Sequence, residues 1–179
     1  MANVFDVANF FIRIANQSED DQITNLKLNK LLYYAQGVTL ARTGKPLFDN
    51  PIEAWTHGPV VPDIYHKYKE FRRTPIISSD GDTDRSRFSD EELDALFDVM
   101  REFGQYTGSM LIALTHKPDT PWSKTIADRR TELSQSEIRE YFLRHPVPHL
   151  KDKICVPLVT ALPADWYDPK EDAEWEAYL

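Results

Sequence analysis

The stretch of sequence that decides the fold runs from Leu26 to Phe71, LKLNKLLYYAQGVTLARTGKPLFDNPIEAWTHGPVVPDIYHKYKEF. Its first half carries apolar residues at helical spacing and ends at Gly44, where a left-handed helix cap is expected. Its second half places a short extended segment around Trp55 before the Gly-Pro turn that begins at Gly58. Pro62 then suits the first turn of another helix. The stretch contains no metal-ligand cluster, phosphate loop or nucleophile elbow, so it favours recognition by shape over bond chemistry.

The first helix of this stretch is predicted to be amphipathic. Thr24 can cap its first turn through the side-chain oxygen. Apolar residues then recur at the i, i+3, i+4, i+7 spacing of one helix face, at Leu28, Leu31, Leu32 and Ala35. Other positions stay polar, at Lys27, Asn29, Lys30 and Gln36. The pattern therefore predicts an apolar stripe directed at the core and a separate polar face.

Length and composition indicate one globular domain. The chain has 179 residues, of which 41% are hydrophobic and 12% aromatic, as is ordinary for a folded protein. A chain of this length buries roughly 70% of its unfolded surface and needs neither disulfides nor a metal to fold. Cys155 is the only cysteine, which excludes an intrachain disulfide and favours a reducing cytosol. Its setting predicts a buried structural thiol rather than a nucleophile.

The charge distribution argues against nucleic acid as a partner. The net charge is −8, and residues 165–179 hold six acidic side chains against Lys170 alone, a net −5. Affinity for phosphate comes mostly from Lys and Arg, so nucleic-acid binding is not expected. Asp6 and Arg13 interrupt the apolar N-terminus, which excludes a signal peptide, and no run approaches the ~18 apolar residues of a membrane span. These features predict a soluble, cytoplasmic protein.

Capping signals outside the central stretch predict further helices. Asn3 can cap the first helix of the chain, and Thr120-Pro121 reads as a cap followed by a first helical position. Two capping boxes of the form S-x-x-E are predicted, at Ser89–Glu92 and at Ser134–Glu137. Each of these signals precedes apolar residues at helical spacing.

Taken together, the helical signals predict a mainly α fold, a compact single-domain bundle of six or seven helices. Residues 72–88 are predicted to be a loop with a turn at Asp80-Gly81. One very short β pair is expected near Trp55, with Ile76-Ile77 and Arg87-Phe88 as its candidate partners. The predicted boundaries are residues 1–163 for the helical domain and residues 164–179 for an acidic C-terminal tail.

The histidines and carboxylates give no convincing catalytic or metal site. His145 and His149 have the i, i+4 spacing of a helical zinc pair, but Pro146 and Pro148 between them forbid a helix. His57 lies in a loop, where an imidazole can act as an acid or base, or can bond to turn backbone or to a partner. No carboxylate at meaningful spacing supports catalysis by it. No cofactor and no metal are predicted.

Two further groups of side chains have alternative readings. A basic group ends the helix opened by Pro62, where cations complement the helix dipole, and contact with an acidic protein is the alternative. Its members are Lys67, Lys69, Arg72 and Arg73. An aromatic group favours the core for most of its members, with one or two exposed at a recognition surface. It consists of Tyr33, Tyr34, Trp55, Tyr65 and Tyr68.

The central stretch resembles the Panacea domain, a family that includes SocA-like antitoxins and phage-associated proteins. Several linked motifs carry the resemblance in the right order, which makes it specific. They are Leu28–Gln36 (LNKLLYYAQ), Pro46–Phe48, Ile52–Trp55, Gly58–Pro62 with Tyr65, Leu114–His116 and Pro121-Trp122. The resemblance covers roughly residues 3–145, and the acidic tail lies outside it.

The resemblance implies a non-enzymatic antitoxin that binds a protein toxin encoded nearby and neutralises it by direct contact. The alternative is a proteolysis adaptor or phage-encoded regulator that redirects a host or toxin protein, with a protease component as a further partner. A hydrolase using His57 and a DNA-binding autoregulator rank below both. The predicted partner-binding residues are Lys30, Tyr34, Trp55, His57 and Tyr65.

Overall fold

The computed structural model describes residues 1–17, 22–77 and 85–149. The described chain contains seven α-helices and one two-stranded sheet, which confirms the predicted mainly α fold. The elements are α1 (Val4–Ala15), α2 (Asn25–Thr43), β1 (Glu53–Trp55), β2 (Gly58–Val60), α3 (Pro62–Tyr68), α4 (Asp90–Phe103), α5 (Gly108–Thr115), α6 (Pro121–Ala127) and α7 (Gln135–Arg144). The turn predicted at Asp80-Gly81, Cys155 and the acidic tail lie outside the described residues.

Helix α2 is the centre of the fold. Every residue from 27 to 40 is buried, and α1, α3, α4, α5, α7 and strand β2 all pack against the helix. Thr24 caps its first turn by accepting from the N–H of Lys27, and Gly44 ends it with a φ of 71°, as predicted. The prediction of a separate polar face is wrong, because that face is enclosed as fully as the apolar stripe.

Main-chain groups of the surrounding segments satisfy the enclosed polar side chains of α2. The Oε1 of Gln36 accepts from the N–H groups of Leu47 at 2.8 Å and Phe48 at 3.2 Å, and its Nε2 donates to the Phe48 carbonyl at 3.0 Å. The Oδ1 of Asn29 accepts from the N–H of Val61 at 2.9 Å. A buried amide without a partner costs about 1–3 kcal/mol. These bonds offset that cost and fix the path of residues 47–61 over the helix.

The β pair predicted near Trp55 is confirmed, and it is a hairpin. Strand β1 pairs antiparallel with β2, with Glu53 opposite Val60 and Trp55 opposite Gly58. Pro62 follows as the first residue of α3, where its missing N–H is not needed. The hairpin therefore connects residues 47–52, which lie over α2, directly to helix α3.

The predicted partners of this small sheet are wrong. The N–H of Ile76 donates to the carbonyl of Ile23 instead, before α2. The segment that joins the outer edge of β1 comes from between α6 and α7, with a bridge between Glu53 and Glu132. Leu133 also donates its N–H to the carbonyl of Ile52 at 2.8 Å. A segment about 80 positions further along the chain thus completes the edge, and no local sequence pattern points to it.

Of the two predicted capping boxes, only the first is formed. Ser89 accepts from the N–H of Glu92, and the carboxylate of Glu92 accepts in return from the N–H of Ser89 at 2.9 Å. Ser134 makes no side-chain cap bond at the start of α7. The carboxylate of Glu137 is engaged by Arg130 at 2.8 Å, which is why it does not close the second box.

This difference predicts unequal effects of two similar substitutions. Ser89→Ala is expected to lower the free energy of unfolding by about 1 kcal/mol, because it removes the cap of α4. Ser134→Ala is the matched control and is expected to cost much less. Urea unfolding of both variants measures the difference. Equal losses would mean that the capping box does not stabilise α4.

Candidate functional site at the hairpin

The hairpin turn lies on the side chain of a buried lysine from α2. Gly58 has a φ of +98°, and a Cβ placed there would lie 2.7 Å from the Oγ1 of Thr115 and 2.9 Å from the Cε of Lys30. Glycine is therefore required both by the backbone conformation and by the close approach of these two side chains. The amine of Lys30 donates to the carbonyl of Pro59 at 2.9 Å.

Lys30 is fully buried, with an exposed fraction of 0%. Burial disfavours the charged ammonium and lowers the pKa of Lys30 from 10.5 to about 7. Such a lysine changes its protonation state near neutral pH, which an exposed lysine does not. The position of the ammonium, beneath the turn, also means that it is not presented at the surface of this structure.

A second layer of rings lies beside the turn. The indole N–H of Trp122 donates to the carbonyl of Trp55 at 2.8 Å, which ties α6 to β1. His116, just after α5, stacks on Trp122 with ring centroids 3.8 Å apart and an angle of 10° between the planes. Burial, and then the nearby Lys30 and His57, lower the pKa of His116 from 6.5 to about 4. His116 is therefore neutral in the fold around pH 7.

The other face of the hairpin packs against α3. The rings of Trp55 and Tyr65 meet edge to face at 4.8 Å, and His66 lies 6.4 Å from the Trp55 ring. The indole N–H of Trp55 donates to the carboxylate of Glu53 at 2.7 Å. Trp55 is thus held on several sides while part of its surface stays exposed.

The structure separates the five residues that the sequence predicted to bind a partner. Trp55 and His57 are partly exposed at the hairpin, and Tyr65 lies beneath Trp55 with 9% of its surface exposed. Lys30 is enclosed under the turn. Tyr34 is 6% exposed and stacks on Phe103 at 4.0 Å, so it belongs to the packing between α2 and α4.

Trp122, His116 and Ile126 were missing from the predicted set although they belong to the same region. Ile126 lies one helical turn after Trp122, and 43% of its surface is exposed. The signal that could have found Trp122 and His116 was their presence in the linked motifs of the resemblance. We define the hairpin face by its partly or fully exposed members, which are Trp55, Thr56, His57, His66, Trp122 and Ile126.

No metal or membrane feature competes with this surface in the part of the chain that the structure describes. Residues 1–17, 22–77 and 85–149 contain no group of three or more His, Cys, Asp or Glu side chains that could hold a metal ion. His145 is exposed and stacks on Tyr141, while His149 lies 3.5 Å from the carboxylates of Asp94 and Asp98. None of the described helices has the length and apolarity to span a bilayer.

Comparison with known proteins identifies the family. A family model described as "Antitoxin SocA-like, Panacea domain" matches residues 28–123, which is more than half of the chain. The chain belongs to the SocA-like antitoxin family. Its Panacea domain contains Lys30, the whole hairpin, His116 and Trp122, so the match covers most of the site described above. No solved structure matches the chain.

Antitoxin SocA of Caulobacter vibrioides (strain NA1000 / CB15N) is similar to this Panacea-domain chain. The two are 32% identical over 112 residues, which is 58% of this chain and 60% of the relative. The match therefore spans about three fifths of the length of that curated protein.

Proposed function

We propose that this protein is an antitoxin that binds a toxin encoded next to it and neutralises the toxin by direct contact. Membership of the SocA-like antitoxin family supports the class of function. Direct contact with a protein is supported by the aromatic side chains of the hairpin region, Trp55, Tyr65 and Trp122, because such residues are enriched at protein interfaces. Stable interfaces bury about 800 Å² on each partner.

The hairpin face is the proposed contact surface, and the observation that carries it is the joined pair of tryptophans. Trp55 and Trp122 are both partly exposed, and the 2.8 Å bond from the indole of Trp122 to the carbonyl of Trp55 holds them side by side. Trp is among the residues most enriched at energetic centres of interfaces. A rigid pair loses little conformational entropy on binding, which favours affinity.

The buried members of the predicted set support this surface from below. Lys30 holds the turn through the carbonyl of Pro59, and Tyr65 packs against the ring of Trp55. Tyr34 stabilises α2 against α4 at some remove. In this proposal only Trp55 and His57, of the five predicted residues, touch the toxin with an exposed side chain.

Co-expression with the product of the adjacent gene tests the proposal. The adjacent product is expected to arrest growth alone, to be harmless beside this chain, and to co-purify with it. An adjacent product that is harmless alone, or one that stays toxic without co-purifying, would exclude neutralisation by contact.

A matched pair of substitutions tests the surface. Ile126→Glu places a charge on the hairpin face and is expected to weaken co-purification at least tenfold, since a desolvated unpaired charge at an interface costs several kcal/mol. Leu143→Glu changes a comparably exposed apolar residue on α7, 50% exposed against 43% for Ile126, and is expected to leave binding intact. The reverse pattern would keep the antitoxin proposal but move its surface to α7.

A further inference from the structure

The hairpin is held from beneath by a buried amine, that of Lys30, whose charge depends on pH. Lys30 lies under the hairpin, where its side chain and that of Thr115 both approach Gly58, and its one described hydrogen bond goes to the carbonyl of Pro59. An ammonium carries three donors and a full charge, whereas the neutral amine carries two donors and no charge, so a single acceptor in a buried place leaves the ammonium at a much greater cost. The setting therefore suits the neutral form better than the charged one.

Among residues 1–17, 22–77 and 85–149, the groups that surround the amine do not supply a counter-charge. His57 in the turn and His116 after α5 bring imidazoles toward Lys30, and an imidazole is never negative in this pH range. Tyr65 of α3 stays protonated, because burial raises the pKa of its hydroxyl above 10. The carboxylates of the two neighbouring elements are engaged elsewhere, Glu53 by the indole of Trp55 and Asp63 by the amide of Asn50.

We infer that Lys30 is a proton-sensitive latch for the hairpin, such that protonation of its buried amine favours opening of the turn and weakens the hairpin face. When the turn is closed, it keeps water away from the amine of Lys30. Opening lets water reach the ammonium. The predicted effect of opening on toxin binding rests on the proposed function. The opening itself is a property of the free protein.

The sign and size of the effect follow from proton linkage. The closed hairpin holds the pKa of Lys30 at about 7, whereas a hydrated lysine has 10.5, so the open form binds more protons between these values. The hairpin is held most tightly above about pH 10.5, loosens as the pH falls from there toward 7, and changes little below 7. Between pH 8 and pH 6 the opening constant is expected to rise about tenfold.

Amide hydrogen exchange in the free protein tests the latch. The N–H of Val61 reports on the hairpin because it donates to Asn29, and the N–H of Leu47 serves as a reference because it donates to Gln36. After correction for the intrinsic exchange rate, opening at Val61 is expected to rise about tenfold from pH 8 to pH 6, and opening at Leu47 to rise less. Equal changes at both amides would overturn the inference.

Substitutions separate Lys30 from other causes of pH dependence. Lys30→Met, or Lys30→Gln if the first variant does not fold, removes the titrating group and is expected to flatten the response at Val61. Lys124→Met on the surface of α6 is the matched control and keeps the response. A Lys30 variant with the parent's pH response would overturn the latch.

Toxin binding at pH 6 and pH 8, with the adjacent gene product as the probe, shows whether the latch acts on the proposed interface. The parent is expected to lose more affinity at pH 6 than Lys30→Met does. If the adjacent product does not bind at either pH, the proposed function fails while the exchange result still decides the latch. Binding with the same pH dependence in both proteins would overturn the regulatory inference alone.

Discussion

Gly37→Ala is expected to lower the free energy of unfolding by about 3 kcal/mol, although alanine is normally the better helix former by about 1 kcal/mol. Gly37 lies in the middle of α2 and faces Phe142 of α7. A Cβ at this position would lie 2.7 Å from the Cζ of Phe142 and still closer to the Cδ2 and Cε2 of the same ring. These separations are far inside van der Waals contact, so something must move.

The ring of Phe142 cannot yield cheaply. It is 3% exposed and lies among three tyrosines, with ring centroids 5.6 Å from Tyr33, 5.9 Å from Tyr34 and 5.5 Å from Tyr141. Close-packed interiors transmit such a clash to the backbone. The added methyl group is therefore expected to push α7 away from α2, where the two helices make their main contact.

Urea unfolding of four proteins checks this expectation as a double-mutant cycle. The parent, Gly37→Ala, Phe142→Leu and the double variant are compared at one pH. Phe142→Leu shortens the ring side chain and makes room for the methyl group, so the double variant should lose less than the sum of the single losses. A stabilised Gly37→Ala, or strictly additive losses, would show that the helices accommodate the methyl group freely.

Gln36→Met is the second large effect, with an expected loss of about 3 kcal/mol or more. The substitution keeps the length of the side chain but leaves three main-chain groups of Leu47 and Phe48 without their partner. Both residues have exposed fractions of 0%, so water does not replace the lost bonds. Each buried group left unsatisfied costs about 1–3 kcal/mol.

Gln105→Met is the matched control, because Gln105 is exposed after α4. It is expected to change stability by less than about 0.5 kcal/mol. Exchange of the Leu47 and Phe48 amides supplies a local measurement, and both should lose protection in Gln36→Met before the rest of the core does. Unchanged protection at these two amides would show that Gln36 does not hold the segment.

Most of the helices could be predicted from the sequence because their signals are local. The caps at Thr24 and Ser89 and the stop at Gly44 each depend on a few neighbouring residues, and the structure places all three as expected. The burial of the polar residues of α2 was harder to predict, since polarity alone does not say which groups a side chain will bond to. Gln36 reads as a surface residue until its acceptors and donors 11 and 12 positions away are known.

The candidate site could be predicted only in part, for the same physical reason. Trp55 and His57 could be predicted to lie at the hairpin because they stand beside a Gly-Pro turn, and their contact with a partner stays a prediction. Trp122 could not be, because its bond to Trp55 joins residues 67 positions apart. Lys30 was expected at the surface, but the missing side chain of Gly58 lets the turn settle directly on it. Contacts between residues so far apart in the sequence produce no periodic pattern from which they could be predicted.

The bonds from α2 to the segments around it end on peptide groups, and this has a consequence for how such a protein can change partners. A peptide group is the same whatever side chain it carries, so the path of residues 47–61 does not depend on most of the side chains along that path. Exposed side chains of this segment can then be substituted to fit a different partner while helix α2 and the backbone path stay the same. The division of labour resembles that of an antibody, in which a fixed framework presents interchangeable loops.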